Sequence, residues 1–341
     1  MVGQLDPSRI LQIGSGFWPS KVLLSAVELE LFTRLAEGGA TSAGIAQDLG
    51  LAPRAVPDFP DALVALGLLE RDGEGDAALY CNTPETAAFL DKASPNYIGG
   101  ILEMMNARLY PFWGDLTEAL RTGLPQNEVR RTGKSFFEGL YEDPARLEQF
   151  MQAMVGTSLG GFRALADAFD FSKYNTVCDV GGATGQLSVI LAERHPHLRC
   201  ITFDLPAVEP IARRTIGAAG LTNRVTTASG DFFRDPLPEV DVITMSLVLH
   251  DWNLERKMLL LEAAHKALNP GGALVVIENI IDDARRENAF GLLMSLNMII
   301  ELGDAFDFTG ADLTRWCTGV GFQKVDIVPL AGPTSAGIAY K

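Results

Sequence analysis

The run Thr176-Val-Cys-Asp-Val-Gly-Gly-Ala-Thr-Gly-Gln-Leu-Ser188 leaves few choices for the fold around it. Val177, Cys178 and Val180 read as a buried strand, Gly181, Gly182 and Gly185 as a tight turn, and Gln186 to Arg194 as a helix. Glycines let a ligand approach the backbone where a Cβ would stand in its way. The helix N-terminus adds free N–H groups and a partial positive charge. Two ligands suit such a turn: a dinucleotide, and S-adenosylmethionine, which has no phosphate. The spacing Gly-Gly-x-x-Gly is not the Gly-x-Gly-x-x-Gly of dinucleotide sites. Asp204, ending the next expected strand, is placed for ribose hydroxyls with either ligand. Asp179 separates them. A carboxylate directly before the turn repels a pyrophosphate but can face the cationic aminoacyl end of S-adenosylmethionine, and the turn is read as a site for the latter.

A chain of 341 residues with 47% apolar content has room for two domains with sizeable cores. Its net charge of −15 argues against a nucleic acid or an anionic membrane as partner, since both call for basic surface. Cys81, Cys178, Cys200 and Cys317 lack metal-site spacing and read as free thiols of a reducing cytoplasm. No signal peptide and no run of transmembrane length is seen.

Residues 1–16 read as a loose arm. Apolar residues at helical spacing, Val22, Leu23, Val27, Leu31 and Leu35, predict one helix from Pro19 to Ala36. Thr41 caps a short helix that Gly50 stops. A third helix containing Asp61 to Leu69 and a hairpin closing at Ala78 to Thr83 complete a winged helix. Its wing carries Glu70, Asp72, Glu74 and Asp76 against Arg71 alone, a surface that repels phosphate, so a dimerisation role is preferred. The stripe Val22, Leu23, Val27 and Leu31 is expected to be covered by a second copy. Residues 84–170 read as helices rich in Met and aromatics, among them Met104, Met105, Tyr110, Phe112 and Trp113, then Phe136, Phe137, Tyr141, Phe150, Met151 and Met154. Most belong between helices, and a minority wall an apolar substrate pocket.

From Lys173 strands and helices alternate, which implies a mostly parallel sheet. Strands are expected near 176–180, 200–204, 225–229, 241–247 and 273–278, then 323–328 and 334–340 as an antiparallel hairpin. The domains are placed at 1–95 (winged-helix-like dimerisation), 96–170 (helical linker and pocket) and 171–341 (cofactor binding).

Ligands of open α/β sheets bind at the carboxyl ends of the strands. Asp231 and Phe232, after the third strand, can hold adenine. Ser246 ends the fourth strand, and His250, Asp251 and Trp252 follow it. Of four histidines, His250 alone is expected at the mouth of the sheet, where a neutral imidazole can take a proton. Glu278 ends the next strand, and Asp307 lies between Phe306 and Phe308. A carboxylate on the imidazole fixes its tautomer. An acyl-transfer triad is excluded, because no Gly-x-Ser-x-Gly elbow exists and no serine or cysteine is marked out as a nucleophile.

With these residues in place the chain resembles the S-adenosylmethionine-dependent O-methyltransferases of the plant caffeate and animal acetylserotonin type and their bacterial natural-product relatives. The likeness runs from about Phe17 to Lys341. It rests on Asp179-Val-Gly-Gly-Ala-Thr-Gly185, Asp204-Leu-Pro206, Gly230-Asp231-Phe232-Phe233, Leu249-His250-Asp251-Trp252, Leu268-Asn-Pro-Gly-Gly272 and Ile277-Glu278. It implies a Rossmann-like methyltransferase fold, a seven-stranded mostly parallel sheet with an antiparallel terminal hairpin, joined to a helical dimerisation domain. It implies a cytoplasmic homodimer acting on a small acceptor with no metal. Asp179, Gly181, Gly182, Gly185, Asp204, Leu205, Asp231, Phe232, Ser246 and Trp252 would hold the cofactor. His250 would be the base, flanked by Glu278 and Asp307. Met105, Asn106, Tyr110, Phe150, Met154, Asp251 and Asn297 would meet the acceptor. Two departures stand out: Asp307-Phe308-Thr309 where the family has Glu-Arg-Thr, and Ala183 where Gly is common. The expected reaction is O-methylation of a phenol or enol. C-methylation of an enolisable keto acid on the same fold, and a winged-helix regulator that senses S-adenosylmethionine, are the alternatives.

Overall fold

The computed structural model describes residues 5–133, 136–141 and 144–341. The chain divides into two compact units, Met1–Pro111 and Phe112–Lys341. No helix among the described residues is long and apolar enough to cross a membrane.

In the first unit, helices surround a three-stranded antiparallel sheet of β1 (Ala40–Thr41), β2 (Leu69–Asp72) and β3 (Leu79–Asn82), in the order β1-β3-β2. Thr41 caps the helix Ser42–Leu49 by accepting from the Gly44 amide at 3.1 Å, and Gly50 ends it at φ +66°. Leu31, Phe32, Ile45 and Leu63 form its core.

Four expectations need correction here. The helix predicted from Pro19 to Ala36 is two helices, Phe17–Glu28 and Leu31–Ala36, with Glu30 left-handed between them at φ 56°. No Gly or Pro marks the break, and the apolar residues on either side of it turn to the same core. The third helix is Asp58–Ala65; Leu69 already belongs to β2, because Gly67 at φ +72° turns the chain out of the helix. The N-terminal arm contains a helix, Ser8–Gly14, with no buried residue. The supposedly free stripe is half internal: Leu31 and Val27 are buried in the unit's own core, whereas Ile10, Ile13, Phe17 and Trp18 are more than half exposed. Arg71, the one basic residue of the wing, is held by Asp61 at 2.8 Å, and the four wing acids are exposed.

The second unit is built on a seven-stranded sheet. Its strands are β4 (Thr176–Val180), β5 (Arg199–Asp204), β6 (Val225–Ser229), β7 (Val240–Ser246), β8 (Leu268–Glu278), β9 (Lys324–Pro329) and β10 (Ser335–Tyr340). Their order is β6-β5-β4-β7-β8-β10-β9, with β10 antiparallel to both neighbours and β4 to β8 parallel. Helices cover both faces, which is why the central strands are near-continuous apolar runs. Alternate residues serve opposite layers: Cys178, Val180, Leu274 and Val276 pack on one side with Leu260 and Leu261. Val177, Val275 and Ile277 pack on the other with Leu187 and Leu191. The long helix Pro144–Ala168 brings Leu147 and Met151 against Val208 and Ile211. The side chains of Phe136 and Phe137, grouped above with the aromatic wall, lie outside those described. All four cysteines are free, three of them buried.

Candidate active site

The carboxyl ends of β4, β5, β7 and β8 gather the buried acids and the histidine. After β4, Gly181 and Gly185 adopt φ +69° and +76°. A Cβ on Gly181 would stand 2.7 Å from the Val248 side chain, and one on Gly182 would overlap Thr202 and Asp179. The Gly181 and Gly182 amides donate to the Phe203 carbonyl, tying the turn to β5. Ala183 is left-handed at φ 48°, a strained conformation for a residue with a Cβ. Its amide donates to Asp204 Oδ2 at 2.9 Å, and the Leu205 amide to Asp204 Oδ1 at 2.7 Å.

Asp179 is buried beneath this turn and accepts from Thr244 Oγ1 on β7 at 2.7 Å. Burial pushes Asp179 up to about 7, against the Thr244 hydrogen bond, and Asp204 up to about 6, against its two amide donors. Among the described residues no lysine or arginine offsets either carboxylate. A backbone cradle with buried acids and no cation suits a cationic, phosphate-free ligand rather than a pyrophosphate.

The Asp231 side chain accepts from the Phe233 amide at 2.9 Å and closes its own turn, while Phe232, Phe233 and Trp252 form an edge-to-face group. Arg256 lies 4.9 Å over the Trp252 ring and 5.0 Å over that of Phe233. Phe150 and Ala183 pack against the same apolar group, that of Leu147, Met151, Val208 and Ile211. Tyr141 packs there as well. Its proton is held well above the ordinary range by burial and then by Asp204 and Asp251. Ser246, half-buried, ends β7 and pairs with Ile277.

His250 lies in a 3-10 turn, Leu249–Asp251, and is 6% exposed. Leu247, two residues before it, is left-handed at φ 51°. Glu278 grips it from β8, Oε1 accepting from the Leu249 and His250 amides at 3.0 and 3.3 Å. Its Oε2 stands 3.9 Å from His250 Nδ1, and Asp307 Oδ1 stands 3.5 Å from the same nitrogen. Asp251 Oδ1 is 3.4 Å from Nε2. Burial pulls the imidazole down, but Glu278, Asp251 and Asp307 together push it further up, to about 10. Burial raises Glu278 to about 7 and Asp251 to about 6, each held back by His250. The facing atoms of His250, Glu278 and Asp307 lie within 4.8 Å of one another, close enough to share an ion and equally an imidazole oriented by two acids. The other histidines serve packing: His195 and His197 meet the Ala166 and Phe171 carbonyls, and His265 lies against Phe322.

The remaining predicted residues divide between the units. In the second, Asn297 is buried and accepts from Trp113 Nε1 at 2.9 Å, and Met154 is half-buried on Pro144–Ala168. In the first, Met105 opens a π-helical segment, Met105–Leu109, and the Asn106 amide bridges Lys21 and Glu28. Tyr110 lines a groove of about 500 Å³ with Phe17, Trp18 and Val22. Sequence reading passed over Lys257, which is fully buried at the start of the helix Leu254–Ala267. Its signal was a cation on the inward face of a helix, in step with Leu260, Leu261 and Ala264.

Comparison with known proteins settles the family. The O-methyltransferase domain family matches residues 113–323, and the O-methyltransferase dimerisation domain family matches residues 11–92. The chain belongs to the O-methyltransferase family. It is 41% identical over 335 residues to the tetracenomycin polyketide synthesis 8-O-methyl transferase TcmO of Streptomyces glaucescens, covering 98% of this chain and 97% of that one. It is 38% identical over 296 residues to the N,N-dimethyltransferase OxyT of Streptomyces rimosus, covering 87% and 85%. The human N-acetylserotonin methyltransferase structure, in complex with S-adenosylmethionine, superposes with a TM-score of 0.90 at 29% identity, over 100% of this chain and 99% of that one. The resemblance read from the glycine turn and the Leu249–Trp252 motif is thereby borne out, as is the Rossmann-like methyltransferase fold. The cofactor of this O-methyltransferase is the one expected, S-adenosylmethionine.

Proposed function

We propose that this O-methyltransferase methylates a phenolic or enolic hydroxyl of a small aromatic, polyketide-type acceptor, with His250 as general base. One observation carries the reading. A buried imidazole at the carboxyl edge of the sheet has Nδ1 turned to Asp307 and Glu278 and Nε2 at 3.4 Å from Asp251. Such flanking acids stabilise the imidazolium, which at about 10 is the resting form; with the cofactor's sulfonium beside it the ring would be neutral, Nδ1–H turned to the acids and Nε2 open to a hydroxyl proton. The bound cofactor supplies a methyl group already activated on a sulfonium, so the chain's own task is to align the acceptor and hold its proton. Asp179, Gly181, Gly182, Gly185, Asp204, Leu205, Asp231, Phe232, Ser246 and Trp252 are assigned to the cofactor. Met105, Asn106, Tyr110, Phe150, Met154, Asp251 and Asn297 are assigned to the acceptor. Residues 96–170 are proposed as the region linking dimerisation and cofactor domains. The family match at residues 11–92 supports a homodimer, and the free cysteines suit the cytoplasm.

The test is a screen of hydroxylated polycyclic aromatics with methyl-labelled S-adenosylmethionine, products being assigned by NMR. A labelled O-methyl group supports the reading. The likeness to an N,N-dimethyltransferase makes amines the second set to screen. A label found only on nitrogen or carbon would overturn the hydroxyl assignment.

A further inference from the structure

Lys257 is completely buried on the first turn of the helix Leu254–Ala267. A lysine is almost never fully buried without a partner, and burying an unpaired ammonium is costly. Its ammonium donates to two main-chain carbonyls, those of Trp252 and, at 2.8 Å, Phe306. It also lies 3.5 Å from the centre of the Phe306 ring. The two carbonyls belong to separate segments. Trp252 follows His250 and Asp251 in one, and Phe306 precedes Asp307 in the other. The inward positions that follow on the same helix, Leu260, Leu261 and Ala264, are apolar and buried. A methionine would fill this position without desolvating a charge, so the charge itself calls for a role.

We propose that Lys257 is a positioning residue for the His250 site: one buried ammonium that pins the His250–Trp252 turn to the segment carrying Asp307, and offsets the carboxylates around the imidazole. The inference deepens the reading of His250 as base, because it concerns what sets the proton affinity of that imidazole. The charged groups facing Lys257 come from every neighbouring segment. They are Glu278 at the end of β8, Asp307, Asp251 with His250 beside it, and Asp304 beyond the helix Ala289–Leu302; Glu301 of that helix adds its charge through Asp251. Burial lowers Lys257 to about 8, these acids opposing the fall, so it is mostly charged at neutral pH. With Lys257 charged, Glu278, Asp307 and Asp251 face two cations once His250 is protonated; without it they face one. Lys257, at about 8, loses its proton before His250, at about 10, so the coupling shows when the charge at this position is made permanent: the potential at His250 is then more positive and the site holds its proton less tightly.

The experiment titrates His250 directly. With labelled histidine and S-adenosylhomocysteine present, its signals are separated from those of the other three histidines by difference from His250→Gln. Lys257→Arg, which stays charged beyond pH 10, is expected to move the His250 midpoint downward by on the order of one pH unit, and Lys257→Met to leave it within a few tenths, because the lysine is already neutral where His250 titrates. A packing role alone would lower the melting temperature of both variants and leave the midpoint of Lys257→Arg where it was; that result, or an equal downward movement in Lys257→Met, would overturn the proposal. Should Lys257→Met not fold, Lys257→Gln, which keeps an N–H donor without the charge, is read with the same criterion. No turnover is measured, so the result stands whether or not His250 proves to be the base.

Discussion

Nε2 of His250 lies 3.4 Å from Oδ1 of Asp251, the next residue in the chain, while Nδ1 faces Asp307 at 3.5 Å. Both ring nitrogens thus look onto carboxylates. On the proposed reading an acceptor hydroxyl shares Nε2 with Asp251, and the acids that hold the imidazole in place also raise its affinity for the proton it must take.

Replacing His250 with Gln keeps some hydrogen bonding and removes the base. Turnover is expected to fall at least ~10²-fold at pH 7 with S-adenosylhomocysteine affinity unchanged. With a phenolic acceptor the loss should shrink toward pH 10, where the phenol ionises unaided. Full turnover at pH 7 in this variant would remove His250 from the mechanism.

The cofactor-free imidazole, raised to about 10, is charged at pH 8. A ligand bringing a sulfonium cation to the site disfavours that charge and should expel a proton. S-adenosylhomocysteine, with a neutral sulfur, should expel fewer. Calorimetry of both ligands at pH 8, in buffers of different ionisation enthalpy, counts the protons. Equal counts would place the sulfonium away from His250.

Asp179 is held near 7 in the folded chain, above its unfolded value near 4. The stability linked to its proton is complete below about pH 4 and lost as pH rises through 7. Asp179→Asn should therefore raise the melting temperature at pH 8, by an amount equivalent to roughly 1–3 kcal/mol, and leave it alone at pH 4. It should also weaken S-adenosylmethionine binding. Equal melting temperatures at pH 8 would contradict the burial argument.

His250, Glu278 and Asp307 are close enough to share an ion. If the imidazole does the work assigned to it, dialysis against EDTA should leave turnover within about two-fold. Loss of activity restored by a divalent cation would make this cluster a metal site instead.

Ile10, Ile13, Phe17 and Trp18 leave much apolar surface in water on one copy of the first unit. Light scattering is expected to give a dimer. Ile13→Glu with Trp18→Glu should shift it toward monomer. An unaltered dimer in that double variant would move the interface elsewhere.

Much of this was legible from the chain. The strand–turn–helix run at Thr176, the alternation after Lys173 and the acids at the carboxyl ends of β4, β5 and β8 are local patterns. They survive folding because a buried parallel strand needs a continuous apolar run and its carboxyl end carries the ligand. The break at Glu30 was illegible, since no glycine or proline signals it and the apolar period continues across it. Lys257 was legible in principle, as a charge where the helical period asks for an apolar residue. What it does depends on carbonyls of Trp252 and Phe306 that no sequence spacing brings together.

β10 lies between β8 and β9, with Ser335 paired to Glu278 on one side and Pro329 on the other. A chain leaving the ribosome completes its cofactor turn at Gly185 some 150 residues before this strand exists. Until Ser335–Tyr340 emerges, β8 has an open edge and Glu278, which grips the His250 turn, lacks its neighbour. During synthesis, then, the residues of the cofactor turn emerge well before β10, the strand that covers the β8 edge from which Glu278 holds the His250 turn.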